Sequence, residues 1–309
     1  MVTLLLYAKK QFRNINFLLS MNNIFAMVTI KRSNMYTNYA LESFFRNTEL
    51  DKNDEFFLID NDGCEIEKFL FHKKIQVIKN KFPLSIAKNW NQIIDKALKC
   101  KKDLIFLNNY IIFTKNLFLP LKLNSKDISI PVSNQIFPYQ SDCGNLKLKP
   151  TMSFKDFNKN YSLLDNIVEK HKKRFKPNLK FQALLMPFFC YKAPYNILKE
   201  VGYFDTRFVH GGEDVDYRIR SVKKNYDVSF LLDSYLLHFH GKSSWDGGET
   251  GNEVKERDRK YTEAFLEKWG DDMTKIFILR NDFSEIFEEK GLSELFKKGK
   301  FSDLIRKLL

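Results

Sequence analysis

The sequence predicts an α/β fold built on a mostly parallel sheet, and three observations carry the prediction. Short apolar runs recur with helical stretches of roughly 10–15 residues between them, the spacing of βαβ units. Two of these runs end in polar, turn-forming residues, Asp60-Asn61-Asp62-Gly63 and Asn108-Asn109-Tyr110, as strands do where a parallel sheet opens onto its ligand side. The chain has 309 residues, 44% of them hydrophobic and 30 of them Phe, enough for a large core in one domain or two closely packed halves.

The elements follow in order from periodicity. Ile24 to Ile30 reads as a strand, and Asn38 to Arg46 as a helix with Tyr39, Leu41, Phe44 and Phe45 as its apolar residues. Glu55 to Ile59 is a short strand; on its own, the Asp60 to Gly63 segment after it reads as a tight turn. Ile75 to Ile78 is another strand, and Ser85 to Leu98 a helix with Ile86, Trp90, Ile93, Ile94 and Ala97 along one stripe. Leu104 to Leu107 is the next strand. From about Lys122 to Lys180 the pattern weakens among Pro131, Pro138, Pro150 and Pro177, which reads as a loop-rich insertion suited to an acceptor site or lid. One helix is expected there, Phe154 to His171, running into the basic stretch Lys170 to Arg174 as a solvated face. Leu184 to Tyr191 reads as a buried strand, Pro194 to Val201 as a helix, Gly202 to Gly212 as a turn, Glu213 to Lys224 as a helix and Val228 to His238 as a strand. Tyr261 to Trp269 and Glu285 to Leu309 read as amphipathic helices. The last sets Lys297, Lys298, Lys300, Arg306 and Lys307 beside an apolar stripe; packing on the domain is the default reading, and peripheral contact with an anionic membrane the alternative.

Composition narrows the partners. The formal net charge is +13, but Lys and Asn run high along the whole sequence, the mark of compositional bias. No stacking platform or nucleic-acid-binding motif accompanies the charge, so no nucleic-acid partner is expected. Cys64, Cys100, Cys143 and Cys190 form no metal or redox spacing and read as lone reduced thiols of an intracellular protein. The apolar first 26 residues are broken by Lys9-Lys10 and Arg13 and lack a small-residue cleavage site, so neither a membrane span nor a signal peptide is expected. The reading is a cytoplasmic protein, not secreted, with an N-terminal extension over residues 1–26.

The block from Val201 to Ser244 carries the chemistry. Gly211-Gly212 lets the backbone turn sharply and approach a ligand, and Glu213 and Asp214 fall in the first turn of a helix, where the macrodipole favours ionised carboxylates. A carboxylate at a cleft edge can take a proton from a hydroxyl nucleophile. Asp216 and Arg220, four apart, make an ordinary helical pair. On these grounds alone, a turn followed by an acid-rich helix start is the simpler reading.

The whole run resembles the second half of family 2 glycosyltransferases with a GT-A fold, whose members carry "VGxFDExFxxGGEDxDxxxR", a strand, and then "H-x-H/G-G-x-S". Here stand Val201-Gly202-Tyr203-Phe204-Asp205, Phe208, Gly211 to Asp214, Asp216, Tyr217 and Arg220, then His238-Phe239-His240-Gly241-Lys242-Ser243-Ser244. Tyr39 to Ser43 with Phe57-Leu58-Ile59-Asp60-Asn61, and Ser85 to Ala97 with Trp90-Asn91, are similar to the family's first half, although Ile93 replaces a usual glycine. The likeness covers about residues 27–245.

The resemblance implies a GT-A (Rossmann-like) mixed sheet flanked by helices, with a helical C-terminal extension. Residues 27–121 would be the nucleotide-sugar-binding half, 122–250 the acceptor-binding and catalytic half, and 251–309 the extension. The implied activity is sugar transfer from a nucleotide-diphospho-sugar such as a UDP-sugar to a glycan, lipid-linked saccharide or protein, with inversion. Asp214 would be the general base and Glu213 would position the acceptor. Asp60 would contact base or ribose, with Asn91, Asn108 and Asn109 supporting the donor site. Gly211, Gly212 and Lys242 would line the acceptor or diphosphate region, and His238 falls where relatives place a metal-ligating or diphosphate-contacting histidine.

One departure concerns the cofactor. Relatives place an Asp after the fourth strand to hold Mn²⁺ or Mg²⁺ on the diphosphate, often in "LNND", and here Tyr110 follows Leu107-Asn108-Asn109. A hard divalent cation prefers carboxylates. Three readings stay open: metal held through His238 and another acid, replacement by cations such as Lys242 or Lys192, or a GT-A-like binding protein that does not catalyse.

Overall fold

The computed structural model describes residues 22–63, 74–134, 153–176, 179–187, 189–209, 211–239, 250–281 and 283–309. Strand β1 (Asn23–Thr29) is buried along its whole length, as a central strand covered on both faces must be. A 3₁₀ turn leads into α1 (Asn34–Asn47), four residues longer at its start than periodicity suggests. Then come β2 (Glu55–Asp60), β3 (Ile75–Lys79) and α2 (Ile86–Cys100), whose N-cap Ser85 accepts the Lys88 N–H. β4 (Asp103–Leu107), β5 (Ile111–Ile112), α3 (Phe118–Leu123) and β6 (Ile128–Ser133) complete the first half. The second half holds α4 (Phe154–Phe157), α5 (Tyr161–Lys172), β7 (Lys180–Gln182), β8 (Cys190–Ala193), α6 (Tyr195–Val201), α7 (Glu213–Lys223) and β9 (Val228–His238). Last come α8 (Gly251–Trp269), α9 (Asp271–Thr274), a π-helical turn (Lys275–Leu279), α10 (Phe283–Glu289), α11 (Ser293–Lys297) and α12 (Phe301–Leu308).

The strands form one mixed sheet in the order β3-β2-β1-β4-β8-β6-β9-β5, with β7 paired to β9. β3, β2, β1 and β4 run parallel, so their carboxyl ends open on the same side. β8 is antiparallel to β4 and brings its amino end, Cys190 and Tyr191, beside Leu107 and Phe106 on that side. Besides the core of the sheet, a second apolar cluster joins α7 to the C-terminal helices through Phe208, Val215, Ile219, Phe265, Phe277 and Phe301.

Three segments differ from expectation. The stretch read as loop-rich contains β6, buried throughout between β8 and β9. Its ladder shifts register between Pro131 and Val132, as a strand must where a proline lacks the N–H donor. The single helix expected over Phe154 to His171 is two, broken where Asn158 and Lys159 adopt positive φ (32° and 59°). His171, read as part of a solvated basic face, is buried, with Nε2 2.7 Å from the Leu232 carbonyl oxygen, and burial lowers its pKa.

Of the described residues in the strand expected over Leu184 to Tyr191, only Cys190 and Tyr191 are in one, β8, which runs on to Ala193. Ahead of it, the Ala183 carbonyl accepts Nε and Nη2 of the buried Arg218 (2.9 and 2.8 Å). Phe301, Leu304 and Ile305 of α12 are buried in the second cluster, so that helix turns its apolar side inward. Among the described residues, no helix is long and apolar enough to cross a membrane. Cys100 and Cys190 are free thiols; Cys64 and Cys143 lie outside the described residues.

Candidate active site

The motif segment owes its shape to its two glycines. Gly212 caps α7 with φ +82°, a left-handed conformation that side chains rarely adopt. A Cβ on Gly211 would lie 2.6 Å from Cδ1 of Tyr261, so only glycine admits that ring from α8. The turn delivers Glu213 and Asp214 to the first turn of α7, where the Val215 N–H donates to Asp214 Oδ1 at 2.8 Å.

Burial decides the electrostatics of this pair. Glu213 is 7% exposed, and its Oε2 has no hydrogen-bond partner. Desolvation raises its pKa, and the neighbouring charge of Asp214 raises it further. Asp214 is half-buried, and desolvation raises its pKa too, against the lowering effects of the Val215 N–H and Arg280. The helix dipole, expected to hold both carboxylates ionised, is outweighed, because its effect at a terminus is typically below 1 kcal/mol. The apolar surroundings are aromatic. Tyr191 stacks on Phe106 at 4.3 Å and Tyr217 on Phe204 at 4.6 Å. The Tyr191 hydroxyl is pushed well up by burial, then by the negative charge of Tyr217, Asp214 and Glu213. Tyr191, paired with Phe106 of β4, is thus within electrostatic reach of both carboxylates, a neighbour that the strand pattern alone did not single out.

The other acids of the block are handled differently. Asp216 is fully buried yet receives Arg220 Nε at 2.8 Å, Trp269 Nε1 at 2.9 Å and Lys268 Nζ at 2.6 Å. Lys268 also bridges to Asp205 at 2.8 Å. The pair read as an ordinary helical one is therefore the point where α8 is fastened to α7.

Across the site, Asp60 ends β2, two strand spacings from β4, roughly 10 Å. Its Oδ1 accepts the Gly63 N–H at 2.8 Å, so the tight turn is present and the carboxylate closes it. Asn61 Oδ1 accepts from Asn80 Nδ2 (2.8 Å), Asn89 Nδ2 (3.0 Å) and the Leu84 N–H (2.9 Å), an amide network that fixes the chain after Asp60.

Two expected donor-site residues do other work. Asn91 binds the Phe204 backbone with both ends of its amide, accepting from N at 2.8 Å and donating to O at 3.0 Å, so it clamps the motif loop to α2. Asn109 is 2% exposed and donates to Ser33 Oγ and Thr37 Oγ1 (2.6 and 2.9 Å), tying the end of β4 to α1. Asn108 follows β4, partly exposed, with its N–H on the Phe189 carbonyl at 2.7 Å. Tyr110 stacks on His238 at 5.3 Å, and Phe189 lies at 5.0 Å from the same imidazole.

Among the described residues, the groups at this end are a phenol, an imidazole and amides, a poor match for a hard divalent cation, and no three His, Cys, Asp or Glu side chains come together. Lys192, a candidate replacement cation, is buried and bound to Asp103 at 2.8 Å and to the carbonyls of Lys122 and Asn124, so it does not reach the site. Lys242 and His240 lie outside the described residues.

Sheet order and flanking helices define the GT-A architecture of glycosyltransferases that the resemblance implied. The individual likenesses are to solved structures. GalNAc-T7 with UDP, GalNAc and Mn²⁺ superposes with a TM-score of 0.57 at 16% identity, over 92% of this chain and 55% of that one. This chain therefore spans just over half the length of that enzyme. S. aureus TarS 1–349 with UDP-GlcNAc gives 0.52 at 15% identity over 94% and 82% of the two chains, and TarS 1–349 alone 0.50 at 14% over 93% and 89%. No family model and no curated protein sequence matches the chain. At these identities the likeness is one of fold.

Proposed function

We propose that this chain is a glycosyltransferase of the family 2 type that transfers a sugar from a nucleotide-diphospho-sugar to a hydroxyl of a glycan, lipid-linked saccharide or protein. The observation that carries the reading is Asp214: a half-buried carboxylate at the start of α7, beside the end of β4, with its proton affinity raised by burial. A base of that kind ionises nearer neutrality and is better matched to a hydroxyl proton than an exposed carboxylate. In the step proposed, the acceptor oxygen attacks the anomeric carbon, Asp214 takes the hydroxyl proton, and the bond to the diphosphate breaks on the opposite face. Configuration is thereby inverted, and the nucleoside diphosphate leaves with the bonding pair. In this reading Asp60 meets base or ribose, and Glu213 orients the acceptor. The aromatic floor of Phe106, Tyr191 and Tyr217 keeps water from competing. UDP-sugars are the donors to test first, since the GalNAc-T7 and TarS structures hold UDP and UDP-GlcNAc.

The test is release of nucleoside diphosphate by the purified protein from UDP- and GDP-sugars, with saccharide acceptors, in Mn²⁺ and in EDTA. Acceptor-dependent release is expected. Tyr110 at the usual carboxylate position favours a second reading, a non-catalytic nucleotide-sugar-binding protein. Tight donor binding with no turnover on any acceptor would establish it.

A further inference from the structure

The C-terminal helices are built into the candidate site. The Tyr261 ring lies against Gly211, and Ile278 Cδ1 is 3.8 Å from where a Cβ of Gly212 would stand, so both motif glycines face this module. Lys268 and Trp269 bind Asp216, and Arg218 reaches Ser302 at 3.2 Å, which holds the module in place. Its chain runs through the π turn Lys275–Leu279, an irregularity that often marks functional positions. The turn ends at Arg280, which is exposed and left-handed at φ 59°, with its N–H on the Lys275 carbonyl. Arg280 follows Ile278 by two residues, and Asp214 follows Gly212 by two, so the Ile278–Gly212 contact brings the end of the turn to the start of α7.

We propose that Arg280 recognises an anionic oxygen group, phosphate or carboxylate, carried by the acceptor close to the hydroxyl that reacts. This rests on the reading of Asp214 as the base. In-line displacement puts the leaving diphosphate on the face of the sugar opposite that base, so a cation beside Asp214 belongs to the acceptor side. The charge of Arg280 bears on both Asp214 and Tyr261, in each case favouring the ionised form. Alone, that influence opposes a general base, because it lowers proton affinity. An anion seated on Arg280 cancels it, so an acidic acceptor restores the basicity of Asp214 as it binds. A guanidinium also matches the fork of two oxygens on either anion.

The test is calorimetric titration of the full chain, saturated with UDP at fixed ionic strength, with methyl β-glucoside, methyl β-glucuronide and glucose 6-phosphate. The acidic probes are expected to bind roughly tenfold or more tightly than the neutral one. Arg280→Gln is expected to erase that preference, and Arg280→Lys to keep part of it, with UDP affinity equal in all three proteins. Equal binding of neutral and acidic probes, no binding of acidic probes, or a preference that survives Arg280→Gln overturns the proposal. So does a loss of UDP affinity in Arg280→Gln, which would put the guanidinium on the diphosphate. Failure of wild type to bind UDP would instead count against the transferase reading itself.

Discussion

The end of β2 and the start of α7, the donor and acceptor sides of the proposed site, treat polar groups in opposite ways. After β2, Asn61, Asn80 and Asn89 satisfy one another, neutral groups closing a local network. At α7, Asp205 and Asp216 are saturated by Arg207, Lys268, Arg220 and Trp269, while between them Glu213 is buried with an unpartnered oxygen and Asp214 is half-buried. Amides and matched ion pairs hold a shape; an under-satisfied buried carboxylate stores proton affinity. The contrast separates scaffold from chemistry within one stretch of twelve positions, 205 to 216.

The largest effect that sharpens this contrast belongs to Asp214→Asn. Loss of a general base lowers turnover by about 10²–10⁴-fold. Because a buried charge disappears as well, the melting temperature near neutral pH is expected to rise. Turnover within tenfold of wild type would place the base elsewhere. Asp216→Ala should do the reverse, since it removes the buried carboxylate shared by Lys268 and Arg220 and takes the acceptor from the Trp269 indole. A loss of about 3 kcal/mol in urea unfolding is expected, reduced somewhat by the partial exposure of both cations. If Asp216→Ala is neutral, the scaffold role assigned to it is wrong.

Gly211→Ala comes next. The new Cβ would sit 2.6 Å from the Tyr261 ring, an overpacking of about 1–3 kcal/mol. Adding Tyr261→Leu should restore most of that loss; a double variant as unstable as the single one would mean that the ring is not what requires glycine.

The sequence made some of this legible and hid the rest for physical reasons. Parallel strands such as β1 and β4 are buried on both faces, so their apolar runs stand out, and β9 was readable over its whole length, Val228–His238. β6 was hidden because Pro131 argues against a central strand, and the ladder accommodates it only by shifting register. Within the motif, the glycines and acids were visible, but the division of labour among the acids was not: it depends on Lys268 and Trp269, more than fifty positions along the chain. Asn91 and Asn109 illustrate the same limit, because an amide at a strand or helix end suits a ligand and a backbone clamp equally well. Arg280 follows a single π turn, and one irregular turn leaves no periodic signature.

The smallest effect, and the one that tests the contrast without removing the base, is pH. The folded state binds protons on Glu213 and Asp214 more tightly than the unfolded chain does, whose carboxylates ionise near about 4. Stability tied to this pair is therefore full below that pH and declines as pH rises through the pair's raised range. Asp205 has the opposite sign: Arg207 and Lys268 hold its pKa well down against desolvation, so its contribution is present above about 4 and is lost only in strong acid. Over the window in which the pair ionises, turnover should climb as Asp214 loses its proton while unfolding free energy falls, two curves moving apart for one cause. The charge of Asp214 helps raise Glu213, so Glu213 still holds its proton while Asp214 ionises. Glu213→Gln should therefore flatten the later part of the stability decline and leave the acid limb of kcat/KM in place. A limb that moves to lower pH would mean that a charge on Glu213 sets the ionisation of Asp214.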